Sequence, residues 1–235
     1  MTPSYLCCQH EYSTLLISSR KPGKVLNRNK GMRLDPFVKM FVDQYKQPAF
    51  IDEVGLGSIF GELVACAVMI PEPFEMKEVN DSKKLKHEDI YRLAPVLRKK
   101  VLFAYGVIPA YELNEIKNMH KANLLAMKKA LEGLSEKPDG VFIDGRFVPK
   151  DLDIPVHPIV KGDTKVFGIA VASIIAKDYR DHLMMIEYGT TFDDYDIAQN
   201  KGYRSPTHLK AIRRLGTTLH HRRWLPDVLR AADGN

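Results

Sequence analysis

Phe50-Ile51-Asp52-Glu53-Val54-Gly55-Leu56-Gly57-Ser58-Ile59-Phe60-Gly61-Glu62-Leu63-Val64-Ala65-Cys66-Ala67-Val68-Met69-Ile70 is the stretch whose reading decides the fold. A short apolar run ends in two adjacent carboxylates, a glycine-rich turn follows, and a second apolar run rich in β-branched residues comes back. That pattern predicts a β-hairpin with acids at its mouth. Gly55, Gly57 and Gly61 let the turn backbone approach a ligand closely. A buried strand has no structural use for Asp52, because an unpaired buried carboxylate is costly unless it is paired or binds a metal. On this stretch alone, the alternative is that Asp52-Glu53 simply closes a surface turn.

Working outward, residues 1–34 show no sustained periodicity and scatter Arg20, Lys21, Lys24, Arg28, Lys30 and Arg33 among Ser, Pro, Gly and Asn, which reads as a loosely ordered basic arm. Asp35-Pro36 is a helix start, with Phe37, Phe41 and Tyr45 on one face docking on the main domain. On the other side of the hairpin, Asn80-Asp81-Ser82-Lys83-Lys84-Leu85 is a polar loop leading into a helix through Tyr91, Leu93 and Leu97. A strand over 101–108 follows. Leu113, Ile116, Leu124, Met127, Leu131 and Leu134 then fall at three- and four-residue steps, predicting one long amphipathic helix over 111–134 with His120 as a core or rim residue. Val141-Phe142-Ile143-Asp144-Gly145 is a buried strand with a carboxylate at its C-terminal end. An apolar segment over 155–160 leads into Lys161-Gly162-Asp163-Thr164. The helix after it carries Ala170, Ala172, Ser173 and Ala176, small enough for close packing on the sheet. Asp163 reads equally as a helix N-cap or as an acid kept ionised by the helix N-terminus.

The chain has 235 residues, of which 45% are hydrophobic, enough for one large domain with appendages. No apolar run approaches the ~18 residues of a membrane span, and no secretory signal is seen at the N-terminus. Cys7, Cys8 and Cys66 are too few and too oddly placed for a disulfide framework or zinc site, and adjacent Cys7-Cys8 with His10 is a poor metal clamp. A reducing, cytoplasmic setting is expected. The net charge of +6 divides unevenly. Residues 1–48 carry eight Lys/Arg against three acids, 49–198 nineteen against twenty-four, and 199–235 eight against two. Basic flanks suit a polyanion, and an acidic middle suits cations that approach its phosphates.

Asp52, Glu53, Asp144 and Asp163 each sit at the edge of a predicted element, and ligands in open α/β sheets gather beyond the carboxyl ends of strands. Clustered carboxylates without cysteine or paired histidine suit the hard ions Mg²⁺ or Mn²⁺. Two such ions ~4 Å apart clamp the attacking and leaving oxygens of a phosphodiester. One difficulty is geometric: in a regular strand Asp52 and Glu53 point to opposite faces.

Asp-Glu-Val-Gly-x-Gly after a strand, Asn80 to Leu85, Ile143-Asp144-Gly145, Lys161-Gly162-Asp163, Ala172 to Lys177 with Arg180-Asp181, Lys201-Gly202-Tyr203 and His220-His221-Arg222-Arg223 occur in this order. Over about residues 48–227 the chain resembles bacterial ribonuclease HII. The resemblance implies an α/β ribonuclease H-like fold, a mixed five-stranded sheet flanked by helices with a C-terminal helical extension. It also implies a division into an arm and short helix over 1–47, a catalytic core over 48–198 and a basic helical segment over 199–235. The implied activity is endonucleolytic cleavage of RNA in RNA/DNA hybrids and at ribonucleotides embedded in DNA, leaving 5′-phosphates. Asp52, Glu53, Asp144 and Asp163 match the family's metal-binding acids, with two ions in the catalytic state. Lys83 matches its phosphate-binding lysine, Gly55, Leu56 and Gly57 its junction-reading turn, and Tyr203 its sugar-packing tyrosine. Asp178 and Asp181 have no metal role in that pattern, and Asp181 is expected to pair with a neighbouring base. A monomer is the expected state.

Leu56 departs from the family, which usually has Gly-Arg-Gly where this chain has Gly55-Leu56-Gly57. The lost guanidinium opens a second reading, a fold-retaining nucleic-acid binder with altered junction cleavage. Phe60-Gly61 is also similar to the sister family, ribonuclease HIII. Asp163, Lys201-Gly202-Tyr203 and the His-His-Arg-Arg segment speak against that assignment, and the arm is too short for its substrate-binding domain.

Overall fold

The computed structural model describes residues 40–79 and 85–234. The basic arm, the helix start at Asp35-Pro36 with Phe37, Cys7 and Cys8 with His10, and the loop carrying Lys83 lie outside the described residues.

Five strands form one mixed sheet in the order β3-β2-β1-β4-β5. They are β1 (Pro48–Val54), β2 (Leu63–Met69), β3 (Leu102–Ile108), β4 (Gly140–Asp144) and β5 (Val156–Ile159). The hairpin is as its pattern requires: β1 runs antiparallel to β2, with Asp52 opposite Cys66 and Glu53 opposite Ala65. β2 is buried along its whole length, which explains why Leu-Val-Ala-Cys-Ala-Val-Met shows no polar alternation. β3 adds antiparallel to β2, whereas β1, β4 and β5 run parallel to one another.

Helices α1 (His87–Arg98), α2 (Ala110–Ile116), α3 (Met119–Glu132) and α4 (Phe167–His182) flank the sheet, and α5 (Pro206–Leu215) and α6 (Pro226–Ala232) follow in the C-terminal segment. Phe50, Val68 and Phe142 face α1 and α4, while Ile51, Ala65 and Ile143 face α3. Phe50 and Phe142 stack with ring centroids 5.7 Å apart. The helices sit close because glycines stand at the crossings. A Cβ on Gly106 of β3 would come within 1.8 Å of the Ala126 carbonyl oxygen of α3.

The periodicity over 111–134 predicts one helix, and the structure has two. Lys117 adopts the left-handed conformation at φ 47° and ends α2, and the Asn118 side chain accepts from the Lys121 N–H to start α3. Both helices keep their apolar residues on the sheet side, so the three- and four-residue spacing survives a break that the capping residues impose. His120 is exposed, its ring 4.4 Å from that of Phe147. Phe41 and Tyr45 do pack on the core, Tyr45 edge-on to Phe142 and donating from its hydroxyl to, or accepting from, His157 Nε2 at 2.7 Å.

A third apolar cluster joins Ile59 and Phe60 of the turn to Met184, Tyr195, Ile197, Ile212 and Val228. The C-terminal segments thus close around the turn that follows β1, rather than around the sheet.

Candidate active site and the loop beside it

The last paired residues of parallel β1 and β4 are Ile51 and Ile143. One step further along each strand stand Asp52 and Asp144, side by side at the carboxyl ends. Alternation places Asp52 on the face of Phe50, towards α4, and Glu53 on the face of Ile51, towards α3. Helix residues meet each acid there: Ser173 of α4 favours the ionised form of Asp52, and Asn123 of α3 that of Glu53. The two acids do point to opposite faces of β1, which continues to Val54, and the charge of Asp144 reaches both of them.

Asp52 is buried, and burial is the main reason its proton affinity is raised well above that of an ordinary aspartate, with the neighbouring charges of Glu53 and Asp144 adding to it. Burial and then Asp144 push Glu53 up to about 7. Each aspartate is steadied by a backbone donor. The Glu53 N–H donates to Asp52 Oδ1 at 2.8 Å, and the Gly162 N–H donates to Asp144 Oδ1 at 2.6 Å. Glu53 Oε2 is buried with no hydrogen-bond partner.

Asp163 lies in a single 3-10 turn, Gly162–Thr164, one residue past the amide that holds Asp144. It is not the N-cap of α4, a position taken by Val166 in extended conformation. Three residues, Thr164 to Val166, separate Asp163 from the start of α4 at Phe167. Among the described residues no group of three or more His, Cys, Asp or Glu is arranged as a ready metal cage. The donor set nevertheless suits a cation: three mutually repelling carboxylates, one with an orphaned buried oxygen, are stabilised by positive charge between them.

Next to the acids, the turn over residues 55–61 is held from beneath by two fully buried arginines. Arg222 Nη1 donates to the carbonyls of Gly55 at 2.7 Å and Ser58 at 2.8 Å, and its Nε to that of Gly61 at 3.2 Å. Arg180 donates through Nε to the Glu62 carbonyl at 2.9 Å and through Nη2 to Ser58 Oγ at 2.8 Å and the Phe60 carbonyl at 3.1 Å. Gly55 sits at φ +86°, and a Cβ there would meet Arg180 Nε at 2.3 Å. Burial lowers the proton affinity of both guanidiniums, Arg222 to about 9, where Arg180 also opposes its charge. Sequence reading placed the His-His-Arg-Arg segment in a basic flank; in the structure Arg222 faces carbonyls, not solvent.

Leu56 is 40% exposed at the tip of this turn and Tyr203 is 39% exposed beside it. Ser58 bridges to Tyr203 through the backbone, and the Tyr203 ring lies 5.3 Å from the Arg180 guanidinium. Tyr203 is therefore not a core tyrosine. Asp181 contacts Lys201 Nζ at 3.5 Å and His87 Nδ1 at 3.2 Å, and Asp178 accepts from Arg98 at 2.6 Å. Both acids are thus paired with bases.

The sequence profile described as Ribonuclease HII matches residues 49–232. The chain belongs to the ribonuclease HII family. It is thereby a hydrolase, an endonuclease of the ribonuclease H type. The Ribonuclease HII of Lactobacillus delbrueckii subsp. bulgaricus is 43% identical over 173 residues, 73% of this chain and 66% of that protein. The Ribonuclease HII of Parabacteroides distasonis is 42% identical over 174 residues, 73% of this chain and 86% of that protein. That of Lactobacillus acidophilus is 39% identical over 217 residues, 91% of this chain and 85% of its own. Among solved structures, ribonuclease H2 from Pyrococcus horikoshii OT3 superposes with a TM-score of 0.66 at 21% identity, covering 80% of this chain and 97% of its own. Bst-RNase HIII in complex with Mn²⁺ gives 0.62 at 22% identity, covering 80% and 69%. These structures show the ribonuclease H-like fold.

The residues that sequence reading left without a role are Ser173, Asn123, Arg180, Arg222 and His208. Arg180 and Arg222 fall within quoted motifs, and Arg180 is buried in the polar C-terminal half of α4. Asn123 has no local signal, since only the approach of α3 to β1 brings it to Glu53.

Proposed function

We propose that this ribonuclease HII family member hydrolyses the RNA strand of RNA/DNA hybrids and ribonucleotides embedded in duplex DNA. The observation that carries the reading is the meeting of Asp52, Glu53 and Asp144 at the carboxyl ends of β1 and β4, with the buried Glu53 Oε2 lacking a hydrogen bond. Asp52, Glu53, Asp144 and Asp163 would hold two divalent cations, Mg²⁺ or Mn²⁺, hard ions suited to an all-oxygen donor set. When bound, such cations neutralise charge on the scissile phosphate and lower the pKa of the attacking water.

The rest falls to the chain itself. Ser173 and Asn123 orient Asp52 and Glu53, and the Gly162 N–H orients Asp144. The backbone of Gly55, Leu56 and Gly57, kept rigid by Arg222, reads the 2′-hydroxyl, and the Tyr203 ring packs on the neighbouring sugar. Lys83 contacts a phosphate, by resemblance to the family. Water attacks in line, and the product carries a 5′-phosphate. The protein acts as a monomer in the cytoplasm during DNA replication and repair; no helix of the described residues is long and apolar enough to cross a membrane. Its parts are the arm over 1–47, the catalytic core over 48–198 and the basic segment over 199–235.

Leu56 favours a particular specificity: without a guanidinium at the tip of the turn, runs of ribonucleotides are preferred over single ones. Cleavage of a labelled RNA/DNA hybrid with and without Mg²⁺, beside a duplex carrying one ribonucleotide, tests the reading. Metal-dependent cutting of the RNA strand is expected, and binding without cutting under saturating Mg²⁺ would overturn it.

A further inference from the structure

Two buried imidazoles behind Tyr203 form a chain whose direction can be worked out. His208 and His221 are fully buried, and their Nε2 atoms lie 3.1 Å apart. The Thr218 backbone N–H meets His221 Nδ1 at 2.9 Å. A backbone N–H only donates, so His221 Nδ1 is an acceptor and the proton of the neutral ring is on Nε2. That N–H points at His208 Nε2, which must then accept, leaving the His208 proton on Nδ1. His208 Nδ1 lies 3.0 Å from the Tyr203 carbonyl oxygen, which only accepts. Thr218 Oγ1, 3.0 Å from His221 Nδ1, then donates to it as well. With this one neutral arrangement every contact is met, and a proton on His221 Nδ1 would place two hydrogens between it and the Thr218 nitrogen. Burial lowers the proton affinity of both rings, which agrees with this arrangement.

The chain ends at the residue that meets the specificity turn. Tyr203 bridges to Ser58, His221 bridges to Phe60, and the Gly202 carbonyl accepts the N–H groups of Ile59 and Phe60 at 2.9 and 3.1 Å. The turn is thus gripped between two segments that the imidazole pair ties together from behind. We propose that His208 and His221 are positioning residues for substrate recognition, a one-directional hydrogen-bond chain from Thr218 through both rings that fixes the Tyr203 carbonyl and with it the ring above Arg180. The inference rests on the reading of Tyr203 as a sugar-packing residue.

Long-range ¹H–¹⁵N correlation of the imidazole nitrogens in the wild-type protein at pH 7 should show His221 protonated on Nε2 and His208 on Nδ1. The reverse tautomers, or a charged ring, would overturn the chain. For kinetics on a duplex with one ribonucleotide, His208→Leu should raise KM roughly tenfold, the scale of a weakened aromatic contact with nucleic acid, with kcat within about twofold. His208→Asn, which keeps an N–H donor near the Nδ1 position, should return KM most of the way to wild type. Tyr203→Ala should raise KM at least as much, and His208→Leu should add nothing further in that background. If Tyr203→Ala leaves KM unchanged, the underlying reading of Tyr203 fails. If Tyr203→Ala raises KM but His208→Leu does not, or if the Leu and Asn variants lose equally, the positioning role alone is refuted.

Discussion

Replacing Glu53 by Gln should make the metal-free protein more stable at pH 8 and leave it nearly unchanged at pH 4. In the folded protein burial and Asp144 raise Glu53 from 4.5 to about 7. The folded state therefore binds more protons than the unfolded state between those two values, and stability falls as pH rises through that window. Below it both states are protonated and no penalty exists; above it the penalty is complete. At about 1.4 kcal/mol for each pH unit the full difference is about 3 kcal/mol, an upper figure because carboxylates relax and draw in solvent. For a protein of this size ~1 kcal/mol moves Tm by ~2–4 °C, so a gain of up to roughly 6–12 °C at pH 8 is expected. Glutamine keeps the shape and can still accept from Asn123, so packing is not changed at the same time.

Differential scanning calorimetry in a chelator at pH 4, 6 and 8 provides the measurement. The Tm difference between variant and wild type should open between pH 4 and pH 8. Adding Mg²⁺ should raise Tm of the wild type more than that of the variant, because a ligand stabilises the state that binds it. Parallel Tm curves for the two proteins across the whole range would refute the account of a strained carboxylate group.

Asp144→Asn should fold normally, since an amide oxygen can still accept from the Gly162 N–H, yet lower kcat by ~10²-fold or more, the scale of losing one charge-stabilising group; near-normal turnover in saturating Mg²⁺ would exclude it as a metal ligand. Arg222→Met strips buried donors from the carbonyls of Gly55, Ser58 and Gly61, and should cost ~3 kcal/mol or more in a urea titration; an unchanged midpoint would mean those carbonyls find other partners. Leu56→Arg should raise cleavage at a single ribonucleotide while changing long-hybrid cleavage little, and an unchanged ratio of the two would show that the turn reads the junction by backbone alone.

The sheet was legible because its signals are local. The fully apolar β2, the acids near the end of β1 and at the end of β4, and the glycines between β1 and β2 each declare themselves within a few residues, and these fix the hairpin. The break between α2 and α3 was not legible from periodicity. Hydrophobic spacing reports which face a residue takes, and both helices take the same face, so only Lys117 in its left-handed conformation and the Asn118 cap mark the interruption. The acids were readable one by one, whereas the raised proton affinity of Glu53 comes first from burial and then from Asp144, ninety-one positions away and adjacent only through the parallel pairing of β1 with β4, neither of which a local reading shows.

Charge counting misled most where it was most suggestive. It assigns Arg222 to a basic flank that greets a polyanion, but its guanidinium is spent on the carbonyls of the turn over 55–61. A formal charge says nothing of whether solvent or protein carbonyls surround it, and the difference inverts the role. An exposed arginine pulls substrate in through a salt-sensitive field, whereas a buried one sets the shape of the backbone that substrate meets. This chain lacks an arginine at the tip of the turn and has two beneath it, so substitutions at Arg180 or Arg222 should act first on the geometry of Gly55, Leu56 and Gly57, and only through it on affinity.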